Sequence, residues 1–424
     1  LCSYLSGVYL EKCAGNRLVQ KWISAGNILL NLSILGVFKY FDFFTENLVN
    51  VLHLLGWDAD YVTLNILLPV GISFYTFQAL SYTIDVYQGK IKATHDIVAF
   101  FAYISFFPQL VAGPIERATH LLPQFLRPRN FDCDLALDGI RQMLWGFFKK
   151  VVVADNCALF VNGVFENYQT LDGSTLFLGA FFFTIQIYGD FSGYSDIAIG
   201  CARLFGIDLM QNFKYPYFSR DIAEFWRRWH ISLTTWFRDY IYIPLGKWKS
   251  FRNTLVIFLV SGFWHGANWT FVAWGAYHAL LFLPLLLLGQ NRRYRDSVAK
   301  NSFLPSVKEL TQMGATFLLV LLGWILFRSE DISQAAVYLE RMFNVSLFSA
   351  PQLVGLGFGQ LLLKKCFFFT ALMFIVEWIG RKQAHGLMIE DLSLPVRYVI
   401  YTVLLIIIYG FDASNPQGFI YFQF

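Results

Sequence analysis

Apolar runs of about 17 to 25 residues, each long enough to cross the hydrocarbon core of a bilayer, recur along this chain. No other sequence feature restricts the fold as strongly. Of the 424 residues, 56% are apolar, 19% are aromatic and only 15% carry a charge. A soluble domain holds about 25% charged residues, so a water-soluble enzyme of this length is excluded. Disorder is excluded too, because it requires high charge and few aromatic rings. The chain reads as an all-α polytopic membrane protein, one integral membrane domain over residues 1–424.

The expected spans are Ile23–Phe44, Tyr61–Ile84, Ile97–Gly113, Gly139–Phe165, Thr175–Phe205, Met313–Phe327, Cys366–Ile379 and Val396–Phe411. The chain starts at Leu1 without an initiator Met and shows no signal peptide, so one or two N-terminal spans are expected to be missing. The loop Thr45–Asp60 is acidic and the next carries Lys90 and Lys92, which by the positive-inside rule puts the first outside and the second in the cytoplasm. Residues 209–252 hold Lys214, Arg220, Arg227, Arg228, Arg238, Lys247, Lys249 and Arg252 against Asp221, Glu224 and Asp239, and are expected on the cytoplasmic face. Three full crossings between Lys92 and Lys214 would place them outside. One of those three segments must therefore be re-entrant or interfacial, and the sequence does not say which.

Residues 253–288 are apolar except near Trp264–Trp269, and at 1.5 Å per residue they extend about 54 Å. That suits a hairpin of two short legs, with both flanking basic loops on the cytoplasmic side. His265 then lies about 18 Å from the cytoplasmic end, inside the membrane. An ionisable group at that depth marks a functional site by default. Neutral imidazole can take a proton from an attacking hydroxyl, and Gly262 and Gly266 allow close approach of backbone or ligand. The competing reading is a structural histidine bonded to a neighbouring carbonyl.

His230 closes Phe225-Trp-Arg-Arg-Trp-His230 within the basic segment. Arg227 and Arg228, with Trp229, suit the phosphates of an anionic donor, or a lipid head group at a membrane-surface anchor. Asp190 and Asp196 put two carboxylates into an apolar run. They would bind a cation or orient a histidine, but hydrogen bonds holding a broken helix are the favoured reading. His278 reads as a core histidine. No His-Glu-x-x-His and no Cys/His cluster is present, so no metal site is expected. The tail, residues 412–424, is aromatic around Tyr421 and carries only one charged side chain, Asp412, so it is expected to dock into protein or membrane on the outer side.

Several motifs, in order, resemble the membrane-bound O-acyltransferases: Gly71–Tyr82, Phe107–Pro114, Asp190–Asp196, Phe225–His230, Phe237–Gly246 and Trp264–Trp269. They are most similar to the bacterial branch that modifies alginate, peptidoglycan and teichoic acids. The resemblance implies a helical bundle with a central tunnel. It makes His265 the catalytic residue and His230 a second important one, with Trp264, Asn268, Asp190 and Asp196 supporting. It offers Tyr421 as a transient acyl carrier on the outer side. No bound cofactor is implied. The donor would be acetyl-CoA or another acyl thioester, and Arg227, Arg228 and Trp229 would meet it. The expected partners are an extracytoplasmic esterase-like (SGNH) acyltransferase, an envelope or exported polysaccharide and membrane lipid, with no nucleic acid, in the bacterial cytoplasmic membrane. A D-alanyl, protein or lipid acyltransferase would share these motifs. A transporter would share the broken helices.

Overall fold

The computed structural model describes the chain except residues 61, 65, 67, 68, 112, 247–249, 353–358, 412–417 and 420–424. No strand occurs among the described residues. A short α1 (Cys2–Lys12) precedes α2 (Arg17–Leu35), which continues through a π-helical turn, Gly36–Tyr40, into α3 (Phe41–Leu54). The first expected span is therefore the middle of one long helix. The expected loop Thr45–Asp60 begins only after Leu54, because the run Phe41–Leu54 keeps a helical apolar stripe with no breaker until Gly56.

The second expected span also starts late. Helix α4 is Ile72–Tyr87, following Pro69 and a left-handed Gly71 at φ +76°. A Cβ at Gly71 would sit 2.3 Å from the carbonyl oxygen of Leu110, so only glycine fits this close approach.

Of the three segments between Lys92 and Lys214, Ile97–Gly113 is the one without a full-length helix. It folds as two short pieces, α5 (Ile97–Ser105) and α6 (Phe107–Leu110), followed by α7 (Ala118–Phe125). Nine helical residues reach about 14 Å, under half the hydrocarbon core. Phe106, in extended conformation at φ −61° and ψ 106°, separates the pieces. The two helical units that follow are full length. The first is α8 (Cys133–Phe147), a π-helical turn (Phe148–Ala154) and α9 (Asp155–Glu166); the second is α10 (Gly173–Leu204). They cross closely at glycines: a Cβ at Gly200 would lie 2.3 Å from Gly139 O, and one at Gly146 would lie 2.6 Å from Gly193 O.

The motif segment folds as α11 (Ile222–Arg228), α12 (Ile231–Phe237) and a π-helical turn, Arg238–Tyr242. The expected hairpin follows as α13 (Ser250–His265) and α14 (Trp269–Leu287). Helices α15 (Val307–Arg328), α16 (Ile332–Met342), α17 (Gln360–Ile379) and α18 (Leu394–Gly410) close the chain, and the last three expected spans fall on α15, α17 and α18. Among the described residues, the helices Arg17–Leu54, Trp269–Leu287 and Val307–Arg328 are long and apolar enough to cross a membrane by length and composition. The core between them is aromatic, with Trp145, Trp274, Trp324, Tyr188 and Phe182 all fully buried.

One end of the bundle gathers the charged loops. Tyr240 OH donates to Asp85 (2.7 Å), Lys90 pairs with Asp85 (3.3 Å), and Arg117 pairs with Asp239 (2.5 Å). His120 bridges Glu116 (2.8 Å) and Asp208 (3.4 Å) at the same end. The Lys90 loop and the basic segment thus share one face, as the positive-inside reading requires.

Candidate active site

Helix α13 rises from that basic end and stops at His265, about 24 Å along its axis. Three glycines shape the hairpin. A Cβ at Gly262 would meet Phe271 O at 2.2 Å, one at Gly275 would meet Phe258 O at 2.3 Å, and one at Gly266 would strike the Phe271 ring at 2.1 Å. The two legs therefore touch backbone to backbone. Asn268 caps α14 by accepting from the Thr270 N–H (2.9 Å), and its amide donates to Glu330 O (2.6 Å). Trp269 donates to Asn47 (2.9 Å), which ties the hairpin tip to α3. His265 is 7% exposed. Its ring lies among Trp264, Trp274 and Phe327, at centroid distances of 5.0, 5.2 and 5.2 Å.

His230 sits between α11 and α12 with left-handed dihedrals, φ 43° and ψ 54°. That region is sparsely populated by residues other than glycine, and such strain collects at functional sites. The kink turns the imidazole inward, leaving it 1% exposed. Nδ1 lies 3.0 Å from Asn212 Oδ1, an oxygen that also accepts from Ser232 Oγ (2.9 Å), while the Asn212 amide donates to Ser195 Oγ (3.2 Å). This network assigns the proton to Nδ1. Nε2 is buried and has no hydrogen-bond partner among the described residues, so its lone pair faces the interior. The Trp264 indole lies 6.3 Å from the His230 ring and 5.0 Å from the His265 ring. One indole is therefore flanked by both histidines.

The remaining candidates are spoken for by protein. Asp190 pairs with Lys150 (2.7 Å), and Asp196 pairs with Lys149 (2.5 Å) and accepts from Gln142 (2.8 Å). Both carboxylates thus fasten α10 to the π-helical turn after α8. Arg228, 7% exposed, pairs with Glu224 (2.7 Å) and donates to the carbonyls of Lys214 (3.3 Å) and Asp296 (3.2 Å). Arg227 is exposed but donates to the carbonyls of Asn291 and Tyr294, holding the loop after α14. Trp229 is buried against Trp324, 5.0 Å between centroids. His278 is fully buried, packed 5.1 Å from the Trp274 ring.

A cavity of about 240 Å³ opens between α12, the α13–α14 hairpin and the loop after it. Arg238, Asn291 and Arg292 line its charged part, and Trp226, Phe258 and Phe282 its apolar part. Ser261 also lines it, one helical turn before His265. Tyr421 lies outside the described residues. Phe419, two positions earlier, is 6% exposed and packs on Tyr194 (5.3 Å) and Phe191 (6.2 Å). Phe191 is about 27 Å along α10 from Gly173, and its ring is 4.7 Å from His230. Phe419 therefore reaches the core one ring away from His230.

Two contributors had escaped notice. Lys39 Nζ bonds the carbonyls of Trp264 and His265, and the lysine in an apolar span was itself a signal. Asn212, in an irregular loop, carried none.

This geometry defines a helical membrane protein with a buried two-histidine centre and, one helical turn short of His265 at Ser261, a cavity that opens towards the basic end. Residues 90–303 match the membrane-bound O-acyltransferase family model, and the chain belongs to that family. It is 40% identical over 357 residues to a protein named probable alginate O-acetylase AlgI from Pseudomonas aeruginosa, covering 82% of this chain and 66% of that one. It is 33% identical over 380 residues to a peptidoglycan O-acetyltransferase from Helicobacter pylori, covering 81% and 68%. It is 28% identical over 285 residues to a teichoic acid D-alanyltransferase from Bacillus subtilis, covering 63% and 70%. The chain thus spans about two thirds of the length of these curated relatives.

Proposed function

We propose that this protein transfers an acetyl group from cytoplasmic acetyl-CoA towards the outer side of a bacterial cytoplasmic membrane, for O-acylation of an envelope or exported polysaccharide. The observation that carries the reading is the pair of buried imidazoles flanking Trp264, one turn beyond a cavity that opens at the basic end. The names of the relatives, probable alginate O-acetylase, peptidoglycan O-acetyltransferase and teichoic acid D-alanyltransferase, support a polysaccharide acceptor.

The donor enters past Arg238 and Arg292, whose charges suit its phosphates. Arg227 and Arg228 act on it by holding the loop that carries Arg292, and Trp229 by packing on Trp324 behind them. The acyl-pantetheine arm lies along the apolar wall of the cavity, its thioester near Ser261. His265 takes the proton from an attacking hydroxyl as the oxygen adds to the thioester carbonyl. The carbon–sulfur bond then breaks, and the departing thiolate collects that proton from the imidazolium. His230 Nε2 is the second acceptor within the same cluster. The attacking hydroxyl is that of Tyr421, which carries the acetyl group outward as a phenyl ester, and the inserted Phe419 supports such a path. A separate extracytoplasmic SGNH-type esterase then moves the group to the glycan.

Purified protein incubated with radiolabelled acetyl-CoA tests this directly. Label should remain on wild type and be absent from His265→Ala and Tyr421→Phe. Label on Tyr421→Phe would remove the carrier step, and label on His265→Ala would remove the base. Absence of label from wild type would shift the donor to a carrier-bound thioester of the D-alanyl kind.

A further inference from the structure

The π-helical turn Gly36–Tyr40 aims two consecutive side chains at one spot. Lys39 Nζ donates to the carbonyl oxygens of Trp264 (2.8 Å) and His265 (2.9 Å), and Tyr40 OH donates to that of Phe263 (3.0 Å). These are three successive carbonyls at the C-terminal end of α13, where a helix has no internal donors left to offer. The Tyr40 ring also stacks on Phe263, 4.4 Å between centroids and 18° between planes. Lys39 Nζ lies 5.8 Å from the Trp264 ring centroid. Among the described residues no carboxylate lies within 4.0 Å of it.

An ammonium carried into an apolar body without a carboxylate is costly, and methionine would fill the same volume without that cost. The charge is rewarded only at the helix end, where it meets the negative pole of the α13 dipole. π-Helical insertions of this kind cluster at functional sites. Here the insertion brings the cation to the two residues, Trp264 and His265, that form the centre itself.

We propose that Lys39 is a positioning residue for acyl transfer. Its ammonium clamps the last turn of α13 and so holds the His265 imidazole and the Trp264 indole in line with His230. The proposal rests on the reading of His265 as the base, and its test separates the two.

Full-length Lys39→Met, Lys39→Arg and Lys39→Cys alkylated with 2-bromoethylamine would be compared with wild type and His265→Ala. Thiol release from acetyl-CoA gives kcat and KM. The Lys39→Met variant should lose about 10²-fold in kcat, the scale set by a misplaced catalytic group, with KM little changed. The ammonium restored by alkylation, and in part the guanidinium, should recover it. An inactive His265→Ala beside a fully active Lys39→Met would overturn this inference alone, whereas an active His265→Ala would overturn the base. A second readout needs no turnover: carbethoxylation of His265 by diethyl pyrocarbonate, followed by peptide mass spectrometry with the exposed His53 as reference. It should run several times faster in Lys39→Met as the helix end loosens. An unchanged rate would sink the proposal whatever the donor.

Discussion

His230 donates a hydrogen bond from Nδ1–H to Asn212 Oδ1 across 3.0 Å, and that contact decides which ring nitrogen faces the interior. If Asn212 becomes leucine, nothing holds the tautomer with an inward lone pair, and Ser232 loses an acceptor as well. Asn212→Leu should lower acyl transfer by about 10²-fold, the scale of a lost acid–base function. Asn212→Asp should retain more, because a carboxylate still accepts from Nδ1. Steady-state thiol release from acetyl-CoA for both variants decides the matter; equal activity in Asn212→Leu would leave His230 with only a packing role.

The donor cavity makes a second expectation. Arg292 lines its charged part and Ser261 stands one turn below His265. Arg292→Ala should raise KM for acetyl-CoA about tenfold, the worth of one charge-assisted contact, and added salt should blunt the difference. Ser261→Phe should close the path near the imidazole and reduce kcat/KM without unfolding the hairpin. A normal KM in both variants would place donor entry elsewhere.

Much of this architecture was legible because hydropathy and helix length are one-dimensional properties. The helical hairpin and the burial of His265 at its tip follow from counting residues between charges. The division of Ile97–Gly113 was hidden, since that segment is as apolar as a true span and only the break at Phe106 divides it. π-Helical turns leave no periodic signature, so the inward turn of Lys39 could not be read. Arg228 illustrates a signal left unused: Glu224 stands four residues before it, the spacing of an intrahelical ion pair. Asn212 meets His230 only because α10 and the loop after it fold back together, and no local pattern encodes that.

The glycines of the hairpin allow a stability prediction. A Cβ at Gly275 would lie 2.3 Å from Phe258 O, a backbone atom that can yield only by separating α13 from α14. Gly275→Ala should cost about 1–3 kcal/mol, as overpacking does. Gly314, with nothing within 4 Å of its Cβ position, should tolerate the same change. Thermal unfolding of the detergent-solubilised variants compares them; an unaffected midpoint for Gly275→Ala would mean that the legs part more easily than their contacts suggest.

At the basic end, His120 makes a pH-dependent clamp. Hydrogen bonds donated to Asp208 and then Glu116, against burial, push its pKa from 6.5 up to about 10. A raised value means that the folded state binds the proton more tightly than the unfolded chain does. The stabilisation is complete below pH 6.5 and disappears as pH rises through about 10. Because the ring is over one third exposed, its worth is on the order of 1 kcal/mol. Thermal midpoints of wild type and His120→Gln should therefore differ at pH 6 and converge near pH 10. A gap that persists at high pH would assign the difference to packing.

The tail gives the last prediction. Phe419 is buried on Phe191 and Tyr194, and Phe191 touches His230, so this ring, two positions before Tyr421, is anchored beside the centre. Removing that ring should leave the Tyr421 hydroxyl intact but poorly placed. Phe419→Ala should therefore slow label capture from acetyl-CoA by about tenfold or more, the effect of lost proximity, with KM for the donor unchanged. Phe419→Leu, which keeps most of the apolar volume, should fall between the two. If a tyrosine-bearing peptide corresponding to residues 416–424 restores label transfer in a chain cut after residue 411, the tail acts as a substrate arm that docks through Phe419. If the cut chain transfers the label at full rate without the peptide, the ring is only a plug and the hydroxyl acceptor must come from outside the chain.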